Sequence, residues 1–272
     1  MRIAHVSDAH LLADEDERAG LSANGLKMRY LSVGRALEPA ARADKLRRAL
    51  DVARAADHVV VSGDLTELGT DAQLARLAEV LLASGVEPRR VTLVPGNHDA
   101  YASQHAWKNA MRGVLAPWAE SSAGGSGKVV ERDEVSFLPI DVSRHQAFAL
   151  SSGALRDDDA ERLEARLADA ALQKKPIVIV THHPPYSPGP LWRLIDGMAK
   201  GARMMSMLER FANVSVLHGH LHRLVDRILS PTKSAIFGAS AAVDGGATAV
   251  RFYDVIAGAL VCAPMPPGIV PR

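Results

Sequence analysis

Five short apolar runs in this chain each end in residues that bind metals or carry protons, and no other feature limits the fold as much. Residues 3–6 lead into Asp8-Ala9-His10, and residues 58–61 into Gly63-Asp64. Residues 91–94 lead into Gly96-Asn97-His98-Asp99. Residues 177–180 lead into Thr181-His182-His183-Pro184, and residues 214–217 into Gly219-His220-Leu221-His222. Apolar, β-branched runs of this length read as strands, and those apolar throughout as strands buried on both faces. In open α/β sheets ligands bind outside the carboxyl ends of the strands. Five such ends are therefore expected to converge on one rim.

The rest of the chain fits that frame. Further strands are expected at 135–140, 234–237 and 250–256. Helices are expected at 46–56, 71–83 and 158–172, where apolar residues recur at three-to-four spacing with charges between them. Asp157-Asp158-Asp159 places acids at a helix N-terminus, and Gly85 stands where a helix C-terminal cap is expected. Strands alternating with helices argue for an α/β protein with helices packed outside its sheets. The segments 11–43, 121–128 and 184–200 read as loops. The first carries Arg18, Lys27, Arg29 and Arg35, and a loop of that length in a compact domain is usually functional. The run Gly124-Gly125-Ser126-Gly127-Lys128 fails the phosphate-loop pattern, with Ser122 in place of the first glycine and Val129 in place of Ser/Thr. It reads as a turn before a strand.

Composition narrows the function. The net charge of +1 and the aromatic content of 4% give neither a basic stripe nor stacking platforms for a nucleic-acid polymer. Cys262 is the only cysteine, so neither an internal disulfide nor a thiolate zinc site is expected. No apolar run approaches membrane-spanning length, and the expected setting is cytoplasmic.

Carboxylates and imidazoles together suit zinc, manganese, iron or cobalt, whereas a calcium cage would not use this many histidines. Asp8 and His10 alternate by two and should share one face of their strand terminus, as should His220 and His222. Gly63, Gly96 and Gly219 let the backbone turn tightly beneath the ions. Two cations ~3.5–4 Å apart can clamp a phosphoryl group.

The ordered set D-x-H, G-D, G-N-H-D/E, H and G-H-x-H resembles the calcineurin-like metallophosphoesterase superfamily, and all five blocks occur in order between residues 8 and 222. The resemblance implies a four-layer α/β/β/α sandwich, two mixed β-sheets flanked by helices, with the metal site at the carboxyl ends of strands. It implies one domain over 1–272, with 11–43 lining the site and strands within 223–272 completing the second sheet. It implies a first metal on Asp8, His10, Asp64 and His222, and a second on Asp64, Asn97, His182 and His220, with Asp64 bridging. Each ion would be divalent or trivalent. His98 would contact the phosphate and protonate the leaving oxygen, with Asp99 orienting His98. The implied reaction is phosphoester hydrolysis by a metal-bridging hydroxide.

The chain lacks the D-R-G continuation typical of Ser/Thr protein phosphatases. Its G-D-L-T, P-G-N-H-D and H-H-P-P forms are more similar to class III cyclic-nucleotide phosphodiesterases and bacterial glycerophosphodiesterases. A phosphodiesterase acting on a small-molecule phosphoester is the leading expectation. The alternatives are a phosphomonoesterase, a nucleotide-sugar-lipid pyrophosphohydrolase, or a non-catalytic metal-binding scaffold. The insert and the C-terminal strands also offer surfaces for a homodimer.

Several residues have plainer readings. His182 is favoured over His183 as the ligand, because strand alternation lets only one face the metals. His5 and His218 read as satisfied core histidines, and His58, His105 and His145 as structural or surface groups. Met198, Met204, Met205 and Met207 read as core gap-fillers rather than a greasy channel. Lys27, Arg29 and Arg35 read as a solvated loop rather than contacts for an anionic substrate. Tyr101 could equally stack on a base or sugar or simply pack.

Overall fold

A computed structural model describes residues 1–124, 127–187 and 189–266. Gly125 and Ser126 of the glycine-rich run and Pro188 of the 184–200 segment lie outside the described residues. The chain runs β1 (Arg2–Val6), α1 (Ala23–Leu31), α2 (Pro39–Ala53), β2 (His58–Ser62), α3 (Asp71–Ala83), β3 (Val91–Val94) and α4 (Ala106–Arg112). It continues through β4 (Val130–Glu131), β5 (Ser136–Pro139), β6 (Gly153–Ala154), α5 (Asp157–Leu167), β7 (Ile177–Val180), α6 (Pro190–Ile195), β8 (Met198–Ala199) and α7 (Gly201–Arg210). The last elements are β9 (Val214–His218), β10 (Val225–Ile228), β11 (Ala235–Gly238), α8 (Ala242–Gly245), β12 (Arg251–Ile256) and β13 (Ala259–Ala263).

Two mixed sheets pack face to face. One has the order β13-β12-β1-β2-β3 and the other β10-β11-β9-β7-β5-β4, while β6 and β8 form a small separate pair. Within each sheet the ligand-bearing strands are parallel, β1 with β2 and β2 with β3, and β7 with β9. Their carboxyl ends therefore share an edge.

Side-chain alternation along β7 fixes the layers. Val178 and Val180 join the central core between the sheets, with Phe137, Leu217 and Phe237. Ile177 and Ile179 join an outer core with Leu163 and Leu167 of α5 and Met204, Met207 and Leu208 of α7. Leu46 and Leu50 of α2 and Leu74 and Leu77 of α3 cover the opposite sheet. Each fully buried side chain of this size contributes ~1.5–3 kcal/mol relative to exposure. The architecture is the expected sandwich of two mixed sheets flanked by helices.

Four sequence expectations need correction. The 11–43 segment is not a loop: it holds α1 and the start of α2, which Pro39 opens at a position where its missing N–H costs nothing. The 184–200 segment likewise holds α6 and β8. The helix expected to reach Leu172 stops at Leu167. The C-terminal strands do not all complete the second sheet: β10 and β11 extend it, whereas β12 and β13 return to β1. Met198, Met204 and Met207 are buried in the outer core and line no channel.

Candidate metal centre

The carboxyl ends of β1, β2, β7 and β9 bring six of the seven expected metal ligands together, with Asn97 in the loop after β3, by a device that strand alternation does not describe. Strand β1 ends at Val6 and β9 at His218, so Asp8, His10, His220 and His222 lie beyond the pleat. Each of the four, and Asp64, has a left-handed backbone, with φ of 54°, 47°, 68°, 53° and 47° respectively. A non-glycine residue in that region costs ~1–3 kcal/mol and persists where surrounding structure over-determines it. Here the loops after β1 and β2 are stitched together. Asp8 N–H donates to the Gly63 carbonyl (3.0 Å), His10 N–H to that of Asp64 (2.9 Å) and Leu11 N–H to that of Leu65 (3.0 Å). Asp and His are among the residues that tolerate this conformation best, a sequence signal that could have located these turns.

The donor atoms form three groups, each within 4.8 Å: Asp8, His10 and His222; Asp64, His182 and His220; and His10, Glu67 and His98. The first two lie on either side of Asp64. Asp64 Oδ2 lies 3.1 Å from His182 Nε2, 3.8 Å from His10 Nε2 and 3.9 Å from His98 Nε2. Its Oδ1 accepts a bond from His98 N–H (2.9 Å), leaving Oδ2 facing both groups. In the first group His222 Nε2 is 3.2 Å from Asp8 Oδ1 and 3.4 Å from His10 Nε2.

The residues fit a pair of cations. Asn97 Oδ1 is buried with no hydrogen-bond partner and His182 Nε2 faces the Asp64 carboxylate, while their other polar atoms are tied back. Asn97 Nδ2 donates to the Tyr101 hydroxyl (3.1 Å), and His182 Nδ1 bonds the Ser62 carbonyl (2.8 Å). Asp8 and Asp64 are fully buried carboxylates, which demand compensating positive charge. Burial alone would raise their pKa values, but His222 and His182 pull Asp8 down, and His182, His98 and His10 pull Asp64 well below the usual range. For His182 burial works downward, and Asp64 and Asp8 overcome it to lift the imidazole to about 9.

His182 points into this cage and His183 does not. His183 Nε2 bonds the Ser151 carbonyl (2.6 Å), and burial, with His220 and His182 beside it, holds the ring neutral. Close backbone approach explains two glycines: a Cβ on Gly96 would come within 2.8 Å of Asp64 Cγ, and one on Gly219 within 2.6 Å of Asp8 Oδ2.

His98 sits at the mouth of the cage, almost buried, with its ring edge-on to His10 at 4.5 Å. Its Nδ1 lies 2.9 Å from the Glu67 carbonyl, which leaves Nε2 toward the cage. The expectation that Asp99 orients His98 is not what the geometry shows. Asp99 accepts from the N–H groups of Gly96 (2.8 Å), Leu65 (3.0 Å) and Thr66 (2.8 Å) and from the Thr66 hydroxyl (2.7 Å). It clamps the loop after β2 to the loop after β3. Burial, then the Asp64 charge, raises it to about 6 despite those donors.

Sequence reasoning missed Glu67 and Arg42. Glu67 is fully buried, its Oε2 3.3 Å from His10 Nδ1 and 2.6 Å from Arg42 Nη1. Arg42 also donates to the carbonyls of His10 (2.8 Å) and Ala36 (2.9 Å) and to Ser32 Oγ (2.7 Å). Arg35 is no solvated loop residue: its Nη2 lies 2.7 Å from His222 Nδ1 and its Nε 3.4 Å from Asp244. Asp196 was also missed, its carbonyl 2.7 Å from His220 Nε2. Tyr101 is buried and donates to the Leu150 carbonyl (2.8 Å), so it packs rather than stacks on a substrate. His5 bonds Ser62 Oγ (2.7 Å), and burial lowers it to about 3. His58 is stacked on Phe137 at 4.4 Å.

Comparison with known proteins adds an independent line. The sequence profile of the calcineurin-like phosphoesterases matches residues 1–224. A 3',5'-cyclic-nucleotide phosphodiesterase of Nostoc sp. is 25% identical over 222 residues, covering 81% of this chain and 71% of the relative. The crystal structure of a dimetal phosphatase from Danio rerio superposes with a TM-score of 0.65 at 15% identity, over 93% of this chain and 92% of the other. A sulfate thiohydrolase from Thermus thermophilus superposes with a TM-score of 0.52 at 14% identity, over 97% of this chain and 56% of the other. At these identities the two structures speak to the fold alone.

Proposed function

The chain belongs to the calcineurin-like phosphoesterase family, and on that premise we propose that it is a phosphodiesterase working with two metal ions. In this reading Asp8, His10, Asp64 and His222 hold one ion and Asp64, Asn97, His182 and His220 the other. The donor set of nitrogens and oxygens suits manganese, iron, zinc or cobalt. The observation that carries the reading is Asp64 Oδ2, which lies 3.1 Å from His182 Nε2 in one donor group and 3.8 Å from His10 Nε2 in the other. Bound there, two cations supply Lewis-acid stabilisation of a phosphoryl group and a water acidic enough to be a nucleophile at neutral pH.

The chain's own groups do the rest. Nδ1–H of His98 donates to the Glu67 carbonyl, which turns Nε2 toward the cage, and it is the Nε2 proton of the imidazolium form that would pass to the departing alkoxide. Asp99 holds the two ligand loops in register. Arg42 and Glu67 together fix the ring of His10. The name of the Nostoc relative supports a diester over a monoester. We treat the chain as one domain and, with a single cysteine, place it in the cytoplasm.

The test compares bis(p-nitrophenyl) phosphate with p-nitrophenyl phosphate after manganese reconstitution. A diester kcat/KM at least ~10-fold the higher supports the proposal, a ratio worth ~1.4 kcal/mol in the transition state. A monoester preference of that size contradicts it.

A further inference from the structure

Three stretches surround the metal centre, and each is bonded to one of its residues. Residues 19–37, which include α1, reach it through Arg35 at His222. Residues 142–151 reach it through the Leu150 carbonyl and Tyr101, whose hydroxyl also bonds Asn97. Helix α6 reaches it through Asp196 at His220. The stretches also touch one another. The rings of Tyr30 and Phe148 meet edge-on at 5.3 Å, and Ser151 N–H donates to the Ile195 carbonyl (2.9 Å). They form a continuous rim.

The rim is apolar and exposed. Val33 is 80% exposed, Leu194 71%, Leu191 65%, Tyr30 58% and Trp192 56%. Large apolar patches of this kind on a monomer usually mark a binding surface. The charge of the rim is equally uneven. Residues 19–38, 142–151 and 189–196 carry five cations (Lys27, Arg29, Arg35, Arg144 and Arg193) against two acids, Glu38 and Asp196, in a chain whose net charge is +1, and Arg35 is paired with Asp244.

Apolar side chains, interfacial Trp and Tyr, and an excess of cations over acids together match the chemistry of an anionic bilayer surface. A second copy of the chain matches poorly, because a two-fold contact through this rim would set cation against cation. No described helix is long and apolar enough to cross a membrane, so the contact would lie in the interface plane. We propose that this rim docks the protein on bilayers containing anionic phospholipid, with the mouth of the metal centre facing the headgroups. If the phosphodiesterase reading holds, its substrate class is then a phosphoester displayed at that surface.

Trp192 makes the docking directly observable. Trp107 and Trp118 are buried, at 7% and 1% exposure, so a change in emission on adding lipid reports Trp192. Phosphatidylcholine vesicles with and without phosphatidylglycerol are the probes. The expected result is co-sedimentation and a blue-shifted emission only with phosphatidylglycerol, quenched by brominated lipid. The exposed double change Arg29→Glu/Arg193→Glu should weaken partitioning more than ~10-fold. Leu191→Ser/Leu194→Ser should remove the blue shift. Both variants should keep wild-type circular dichroism and wild-type hydrolysis of a soluble diester. That lipid-free assay reads the catalytic proposal separately from the docking. Absence of partitioning, equal partitioning to pure phosphatidylcholine, or insensitivity to the charge reversals would each overturn the inference. So would sedimentation equilibrium showing the rim occupied by a second copy.

Discussion

Replacing Gly96 with alanine should damage the metal centre far more than it damages the fold. The added Cβ would lie 2.8 Å from Asp64 Cγ and closer still to Oδ1 and the Asp64 backbone nitrogen. Ordinary contact begins near 3.4 Å, so Asp64 Oδ1, the nearest atom, must retreat by about 1.3 Å. That is about six times the ~0.2 Å latitude of a metal–ligand bond. The strand behind Gly96 is fully buried, and the Cβ also crowds the Asp64 backbone nitrogen, so the loop after β2 must shift together with the carboxylate. Overpacking of this kind costs ~1–3 kcal/mol of stability, which a chain of this size can absorb. Metal affinity should fall by at least about 10–100-fold, and turnover by ~10² from misplacement alone.

Gly85→Ala is the control. Gly85 has φ +68° with nothing within 4 Å of its would-be Cβ. It should cost ~1–2 kcal/mol from backbone strain alone and leave metals and turnover intact. Elemental analysis after dialysis, urea unfolding and kcat on a soluble diester separate the two variants. A Gly96→Ala protein that keeps two ions and wild-type kcat would refute the placement of Asp64.

Three further outcomes follow from the same geometry. Glu67→Gln strips Arg42 of its buried counter-charge and should cost ~3–5 kcal/mol in urea unfolding; a loss under ~1 kcal/mol would show that the pair is not buried as described. His98→Gln should slow turnover by about 10²–10⁴ with both metals retained; undiminished activity would remove His98 from the reaction. His58 should give the protein part of its acid sensitivity. Burial, then Arg132 and Arg90, lowers it from 6.5 to about 3, so the unfolded chain takes up this proton below pH 6.5 while the folded protein does not until about pH 3. Stability therefore falls as pH drops through that window, by up to ~1.4 kcal/mol per pH unit for this one group. His58→Asn should flatten the unfolding free energy against pH by about one proton between pH 6 and 4, and superimposable slopes would contradict the assignment.

The five runs ahead of the ligands were legible as strands because burial on both faces leaves short runs dominated by β-branched and apolar residues with no charged carboxylate, lysine or arginine inside them. The runs at 91–94 and 177–180 match β3 and β7 residue for residue, and α3 was equally plain from its spacing. The expected ligands converge because the strands that carry them run parallel within each sheet. What the sequence hid was long-range or non-repetitive. The Arg42–Glu67 pair joins residues 25 apart whose types, taken singly, read as surface charges. The helix α1 has almost no apolar periodicity, since much of its apolar surface faces outward. The role of Asp99 was misread because its neighbour in sequence, His98, is not its neighbour in space. The alternation of Asp8 with His10 gave a sound grouping for the wrong reason, because left-handed turns and not a pleat aim both side chains.

The central claim is that Asp64 joins two cation sites, and metal stoichiometry tests it most directly. Metal-free protein titrated with manganese in a calorimeter should bind two ions per chain, and Asp64→Ala should lose at least one of them. A wild-type protein that binds a single ion, or an Asp64→Ala variant that still binds two with unchanged affinity, would contradict the account.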